Sequence, residues 1–410
     1  MTHTIPKAPI KLSSTYQSKA PVSPKRPQVK RELIKLTPKV RRAQAAAIRR
    51  KLQDLYLHRP MLCLLIAAHD EELVIGKTIN SAIKAGMKRQ NIYVVDDNSN
   101  DKTSEIAKSI LGPENVVKVR RSGKGIALSK GGIRFNLAGR YRWIHIADAD
   151  GGFAPNYFRV LRRELRVKNA AATGYVRSLP GSIVGQYRVF EYTIGLEIHR
   201  RFQSMTNTVP IIPGPTSCFR ADVFAKLDFA NRSLTEDFDV TLQIHRNKLG
   251  NIQFIPEAVA YTQDPKSTSD FIKQILRWNR GIMQGVQRHR IGRRVSPIDI
   301  YLSYQIMQNF LFFFNYCIIT PALAIKYQTL AVAAQIFIFD VVLTFIMTVF
   351  VSIKTRRWDI MSAFPFIYVY RWVTMYIFLR AFVEVILLKK FQNTSGTWST
   401  AKRRYQTDAV

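Results

Sequence analysis

The sequence predicts an α/β fold: a mostly parallel sheet flanked by helices, followed by a C-terminal α-helical membrane region. Short apolar runs alternate with helical stretches between residues 60 and 150. Three of the runs end in acid-rich loops, "HDEE", "DDNSND" and "DADGG". Residues 300–390 are strongly apolar, although the whole chain carries 62 Lys/Arg against 28 Asp/Glu and a formal net charge of +34.

The elements follow in order. "MLCLLIAA" (61–68) reads as a buried strand, far too short to span a bilayer. "EELVIGKTINSAIKAG" reads as a helix closed by Gly86, "NIYVVDD" as a second strand and "KTSEIAKSIL" as a second helix. "NVVKV" is a third strand, "GKGIALSKGGIRFNLA" a third helix and "YRWIHIADAD" a fourth strand. Alternation at this spacing marks βαβ units. In such sheets ligands bind beyond the carboxyl ends of the strands, which is where the acidic loops fall.

Composition divides the chain into a basic tail (1–59), a mixed domain (60–290), an apolar helical region (291–390) and a basic C-terminal segment (391–410). The tail holds fifteen Lys/Arg against Glu32 and Asp54, a balance that predicts disorder. Anionic membrane lipid attracts such residues by about 1 kcal/mol each, and with an apolar region in the same chain it is a simpler partner than nucleic acid. Cys63, Cys218 and Cys317 are far apart and form neither a disulfide framework nor a zinc site. The N-terminus has no apolar stretch of the kind a cleavable signal needs.

Two apolar segments, about 301–324 and 330–353, are each long enough to cross a hydrocarbon core of ~30 Å. "RHRIGRR" (288–294) precedes the first and "KTRR" (354–357) follows the second, so the positive-inside bias makes them a hairpin with cytoplasmic flanks and puts the mixed domain in the cytoplasm. The third segment, about 360–388, contains Pro365, Arg371, Arg380 and Glu384 and is basic on both sides. It is expected to be interfacial or re-entrant, with Arg380 and Glu384 paired at i, i+4.

The chemistry lies in the loops. In a strand, residues i and i+2 share a face, so Asp148 and Asp150 point the same way if the strand reaches them. Two adjacent carboxylates suit a hard divalent cation, and Mg²⁺ takes one or two of them plus substrate phosphates; the alternative is a solvated acidic turn. Asp96 and Asp97 end another strand, where a carboxylate can accept from a ribose hydroxyl or a base N–H, while Asn98 to Asp101 suit an Asx-rich turn capping the next helix. Lys124 lies between two glycines before a helix, and both features favour phosphate. Glu236, Asp237 and Asp239 follow Thr235, which could simply cap a helix with acids in its first turn. Gln274, Arg277 and Trp278 share one helical stripe, which would equally suit an amphipathic helix on a membrane surface.

In order and spacing these motifs resemble the family 2 inverting glycosyltransferases with a GT-A, Rossmann-like fold. The likeness is closest to the membrane-bound branch of cellulose, hyaluronan, chitin-oligosaccharide and poly-N-acetylglucosamine synthases, and covers about residues 60–290. "AAHDEE", "VVDDNSNDKT", "DADGGF", "PGPTSCFR", "TED" and "QILRW" stand in the family's order. The chain departs from the pattern at His69 and Asp70, where the family commonly has Tyr-Asn. The resemblance implies that Asp148 and Asp150 hold Mg²⁺ or Mn²⁺ against a UDP diphosphate. It implies that Glu71, Asp96, Asp97, Lys124 and Asp148 bind the nucleotide, and that Asp237 is the general base. Gly214, Glu236, Gln274, Arg277 and Trp278 would line the acceptor and diphosphate side, and "GTWSTAKRR" (396–404) resembles a gating loop. The implied reaction is transfer from a UDP-sugar to a glycan or lipid acceptor, processive or not. Two or three membrane segments make a thin polymer channel, so a homo-oligomer, a partner subunit and no channel all stay open.

Overall fold

The structure is a computed structural model. It describes residues 58–178, 182–229, 233–265 and 267–391. The expected disordered tail and the stretch 396–404 lie outside the described residues.

An eight-stranded sheet runs in the order β3-β2-β1-β4-β7-β6-β8-β5. Its strands are β1 (Leu62–Ala68), β2 (Ile92–Asp96), β3 (Val116–Lys118), β4 (Trp143–Asp148), β5 (Gly152–Phe153), β6 (Asn169–Ser178), β7 (Ser217–Arg220) and β8 (Asn251–Thr262). The first four are parallel, and β6 also runs parallel to β8. The β7 strand is antiparallel to both β4 and β6, and β5 to β8. The sheet is therefore mixed, with the expected parallel order in its N-terminal half.

β1 is apolar throughout because both of its faces are covered. Leu62, Leu64, Ile66 and Ala68 pack with Ile75, Ile79 and Ala82 of α1 (Ile75–Lys84) and with Ala107 and Leu111 of α2 (Thr103–Leu111). Cys63, Leu65 and Ala67 pack the other way, with Ala127 and Leu128 of α3 (Lys124–Arg134). A strand buried on both faces loses the polar alternation of a half-exposed one. The α3 helix sits close: a Cβ built on Gly131 would lie 2.1 Å from Cγ2 of Val95.

The chain order reverses about β1, with β2 on one side and β4 on the other. The loops leaving β1 and β4 therefore diverge, and a crevice opens beyond their carboxyl ends. After β4 come α4 (Tyr157–Glu164) and α5 (Ile183–Ile194), which continues through a π turn at Gly195–Arg200 into Arg201–Met205. Next are α6 (Glu236–Arg246) and the 21-residue α7 (Thr268–Arg288).

Among the described residues three helices are long and apolar enough to cross a membrane: Pro297–Lys326, Ala331–Thr355 and Trp358–Leu387. Their main α-helical parts are α8 (Pro297–Phe314), α9 (Ala331–Thr355) and α10 (Phe364–Phe382). The third is a helical run 30 residues long, like the first, and by length and composition it could cross a membrane. Its charges have partners. Arg371 donates to Asp340 Oδ1 at 3.0 Å and Thr344 Oγ1 at 2.6 Å on α9. The expected Arg380–Glu384 pair forms at 3.0 Å, and Glu384 also takes Arg280 of α7 at 2.6 Å. The helical region shares a core with the α/β region: Phe271, Ile275 and Met283 pack with Tyr187 of α5 and with Ile367, Ile377 and Phe378.

The closeness of α3 to the sheet gives a test. Gly131→Ala should destabilise the protein by about 1–3 kcal/mol through overpacking. Adding Val95→Ala should recover most of the loss, read as thermal midpoints of the two variants in detergent.

Candidate active site

Three separate segments meet at the crevice. Lys124 opens α3 at the end of the loop from β3, Asp148 ends β4, and Glu236 opens α6. The Lys124 ammonium lies 2.6 Å from Asp148 Oδ1 and 2.8 Å from Glu236 Oε1. Burial alone would lower its pKa, but the Asp148 and Glu236 carboxylates override this and hold it well above the ordinary lysine value. Gly214 closes against the pair. A Cβ there would lie 2.8 Å from Asp148 Oδ1 and 3.0 Å from Lys124 Nζ.

The loops behind this cluster brace one another. Asp70 Oδ1 accepts from Asn100 N at 2.8 Å, and Ser99 Oγ accepts from Asp70 N at 3.0 Å. Glu72 N donates to Asp101 Oδ2 at 3.0 Å, while Glu72 Oε2 accepts from Lys102 N at 3.1 Å. Buried Glu71 donates its backbone N–H to Thr103 Oγ1 at 2.7 Å. The 98–101 segment is thus the expected turn, tied to the loop after β1.

Asp96 and Asp97 have different surroundings. Asp97 accepts from Ser122 N at 2.8 Å and Gly123 N at 2.7 Å, so its carboxylate holds the backbone that presents Lys124. Asp96 Oδ1 accepts from Ser99 N at 2.7 Å, and its buried Oδ2 has no hydrogen-bond partner among the described residues.

The acids of α6 also diverge. Asp237 is half-buried, and its Oδ1 accepts from Phe238 N at 2.8 Å. Desolvation, then the Glu236 charge, push its carboxyl up to about 7, against the opposing pull of Lys124. Asp239 is fully buried and pairs with Arg288 at 2.9 Å and His289 at 3.0 Å. Burial would raise its carboxyl, but hydrogen bonds from His289, Gln243 and Arg288 hold it down at about 2. Asp239 therefore anchors α7, whereas Asp237 is poised to exchange a proton near neutrality. The Thr235 side chain makes no capping bond.

Strand β4 ends at Asp148, so Asp150 lies in the following turn, buried, and not on a shared strand face. Among the described residues no group of three or more His, Cys, Asp or Glu side chains forms a metal cage. The donors still suit Mg²⁺ or Mn²⁺, which bind through one or two carboxylates and leave the rest to phosphates and water. The electrostatics agree: beside desolvation, the Glu236 and Asp148 charges raise the Asp237 carboxyl, and of the neighbouring charges Lys124 opposes them, with help from the Phe238 N–H. This excess of negative charge is one a divalent cation would neutralise.

The stripe on α7 separates by contact. Arg277 donates to Leu234 O at 3.2 Å, just ahead of Asp237. Gln274 and Trp278 instead meet Arg188, which sequence reasoning missed. Arg188 is fully buried and donates to Glu191 at 2.6 Å, the Tyr192 hydroxyl at 2.8 Å and Gln274 Oε1 at 3.2 Å. Its guanidinium lies 4.7 Å from the Trp278 ring centroid and 4.6 Å from that of Tyr192. A lone arginine in a helix carries no sequence signal for this; its partner Gln274 is 86 residues away.

A mixed sheet, parallel in its N-terminal half with its acids at the switch point, carries a lysine-bridged carboxylate pair and a neutral-range aspartate, the arrangement of a transferase of the GT-A class. The family model described as "Glycosyltransferase like family 2" matches residues 59–281, and the chain belongs to that family. It is 27% identical over 286 residues to a probable glycosyltransferase, YdaM, of Bacillus subtilis (strain 168), covering 62% of this chain and 64% of that protein. It is 24% identical over 228 residues to the poly-beta-1,6-N-acetyl-D-glucosamine synthase of Staphylococcus aureus (strain COL), covering 54% of each. The chain thus spans roughly half to two-thirds of the length of these relatives. Among solved structures, the mannosyltransferase PcManGT from Pyrobaculum calidifontis, in complex with GDP-Man and Mn²⁺, superposes with a TM-score of 0.54 at 16% identity. That match covers 86% of this chain and 97% of the other, and shows a shared fold.

The tight seat of Gly214 predicts that Gly214→Ala splays Lys124 from Asp148. Calorimetry should show nucleotide affinity falling by about tenfold, ~1.4 kcal/mol, with the thermal midpoint nearly unchanged.

Proposed function

We propose that the chain is a membrane-anchored, metal-dependent inverting glycosyltransferase that uses a UDP-sugar, with N-acetylglucosamine as the sugar, to form a β-glycosidic bond. The observation that carries this reading is the meeting of Lys124, Asp148, Glu236 and Asp237 around Gly214. The named relative that makes an N-acetylglucosamine polymer supports the sugar. The basic flanks of the first two membrane segments support a cytoplasmic catalytic domain in an integral membrane protein of the cell membrane.

In this reading Lys124 and the N-terminus of α3 receive the diphosphate, and Asp96 and Asp97 at the end of β2 serve the nucleoside side. Asp148 and Asp150 would hold Mg²⁺ or Mn²⁺, which when bound offsets the charge of the departing diphosphate. Asp237 takes the proton of the acceptor hydroxyl as that oxygen attacks the anomeric carbon from the face opposite UDP, so an α-linked donor gives a β product. A base with a pKa near 7 combines availability with driving force. Buried Arg188 fixes Gln274 and Trp278, which would border the acceptor.

Asp237→Asn should reduce turnover by about 10²–10⁴-fold while UDP affinity stays close to that of the parent protein. The pH profile of kcat/KM, at fixed Mn²⁺, should rise through an acidic limb near 7 as Asp237 loses its proton. Glu236 raises that pKa, so Glu236→Gln should move the limb to lower pH. The deciding experiment incubates the purified protein in lipid with a panel of UDP-sugars and Mn²⁺, scoring UDP release and product mass. Long products indicate processive polysaccharide synthesis, and one-sugar products indicate transfer to a lipid or glycan acceptor. No UDP release from any donor would overturn the proposal.

A further inference from the structure

A cavity of about 360 Å³ lies between α5, α7 and α8, away from the Lys124 cluster. Its wall mixes apolar side chains such as Leu196, Ile282 and Ile306 with two arginines, Arg188 and Arg200. The arginines are not equivalent. Arg188 is neutralised by Glu191 at 2.6 Å and faces Asp264 at 3.6 Å. Arg200 is more than nine-tenths buried and has no acidic partner among the described residues. It donates from Nη1 to the Ile211 carbonyl, and its Nε has no hydrogen-bond partner. Burial without a compensating charge pulls the guanidinium down to about 10.

Burying an unpaired cation costs several kcal/mol, so a ligand anion would relieve a cost already present in the fold. A second open group lies beside it. Gln203 gives its amide N–H to the Tyr301 hydroxyl at 2.6 Å, which leaves its buried Oε1 unpartnered as an acceptor. The cavity therefore offers a cationic donor for an anion and an acceptor for a hydroxyl.

The surroundings select an amphiphile. Leu196, Ile211, Ile282, Ile306 and Phe378 give the cavity an apolar wall around these polar groups. One side of that wall is α8, through Leu302 and Ile306, and α8 begins a candidate membrane span. Polar groups set in an apolar wall that belongs to a candidate membrane span fit a molecule with a charged head and apolar chains.

We propose that this cavity binds the headgroup of an anionic phospholipid carrying a hydroxyl, with its phosphate on Arg200, its hydroxyl on Gln203 and its acyl chains along the apolar wall that α8 contributes. The site is separate from the donor crevice but adjoins the acceptor side, since Trp278 and Phe238, the neighbour of Asp237, line the same cavity. The Arg200 bond to Ile211 holds the segment that leads to Gly214.

The test is native mass spectrometry of the full chain released from phosphatidylcholine nanodiscs containing graded phosphatidylglycerol. The parent protein should retain one phosphatidylglycerol at ratios where Arg200→Gln retains at least tenfold less. Arg201→Gln, which removes an exposed neighbouring charge, should behave like the parent, and Ile306→Trp, which fills the cavity, like Arg200→Gln. UDP affinity measured on each variant reports the donor site independently, so loss of lipid with UDP binding intact is specific to this cavity. Equal losses from Arg200→Gln and Arg201→Gln would overturn the proposal in favour of general surface charge. Equal retention of phosphatidylcholine would overturn it, as would displacement of the lipid by equimolar glycerol phosphate.

Discussion

The site depends on one ammonium held between two carboxylates. Lys124, Asp148 and Glu236 arrive from a helix start, a strand end and another helix start. Left alone, the two acids would repel each other and the neighbouring Asp237. The lysine draws them within 2.6 and 2.8 Å of one nitrogen, so it joins the parallel half of the sheet to α6. Gly214 makes the approach possible because no side chain occupies the space that the pair needs. In a chain of net charge +34 the acids are few, and here they are concentrated where a cation and a phosphate would share them.

The same economy separates Asp237 from Asp239. They are two residues apart on one helix but face different neighbours. Asp239 meets Arg288 and His289 and is locked as a permanent anion that ties α6 to α7. Asp237 meets Glu236 and loses water, so its proton is held to about pH 7. Environments that push two carboxyls apart assign them different roles: one is structural and the other can trade protons at working pH.

Much of this was legible in the sequence, for physical reasons. β1 and β2 were readable because burial on both faces removes polar residues from the whole run, and β4 because its apolar positions end at an acid. The cluster was readable because acids, glycines and a lysine at strand ends are costly unless used. Three features were not readable. The strand ends at Asp148, because its ladder with β1 stops there, so Asp150 falls in a turn. The antiparallel pairings around β7 join segments far apart in the chain, which no local period reports. The pairing of Arg371 in the third apolar segment was hidden, because Asp340 lies 31 residues earlier on another helix.

Helix α7 carries the final step of the argument. One side of it presents Gln274 and Trp278 to Arg188, and Arg277 to the strand of chain leading into Asp237. The other side packs into the core made with α10, and Arg280 is bound to Glu384 of the same apolar helix. The helix that carries Gln274, Arg277 and Trp278 is therefore also a wall of the helical region. A shift of the apolar helices cannot leave Trp278 in place unless α7 bends, and 21 helical residues without proline resist bending. The catalytic region and the apolar helices thus act mechanically as one body, so whatever the helices are embedded in bears directly on the geometry in which Asp237 would meet its acceptor.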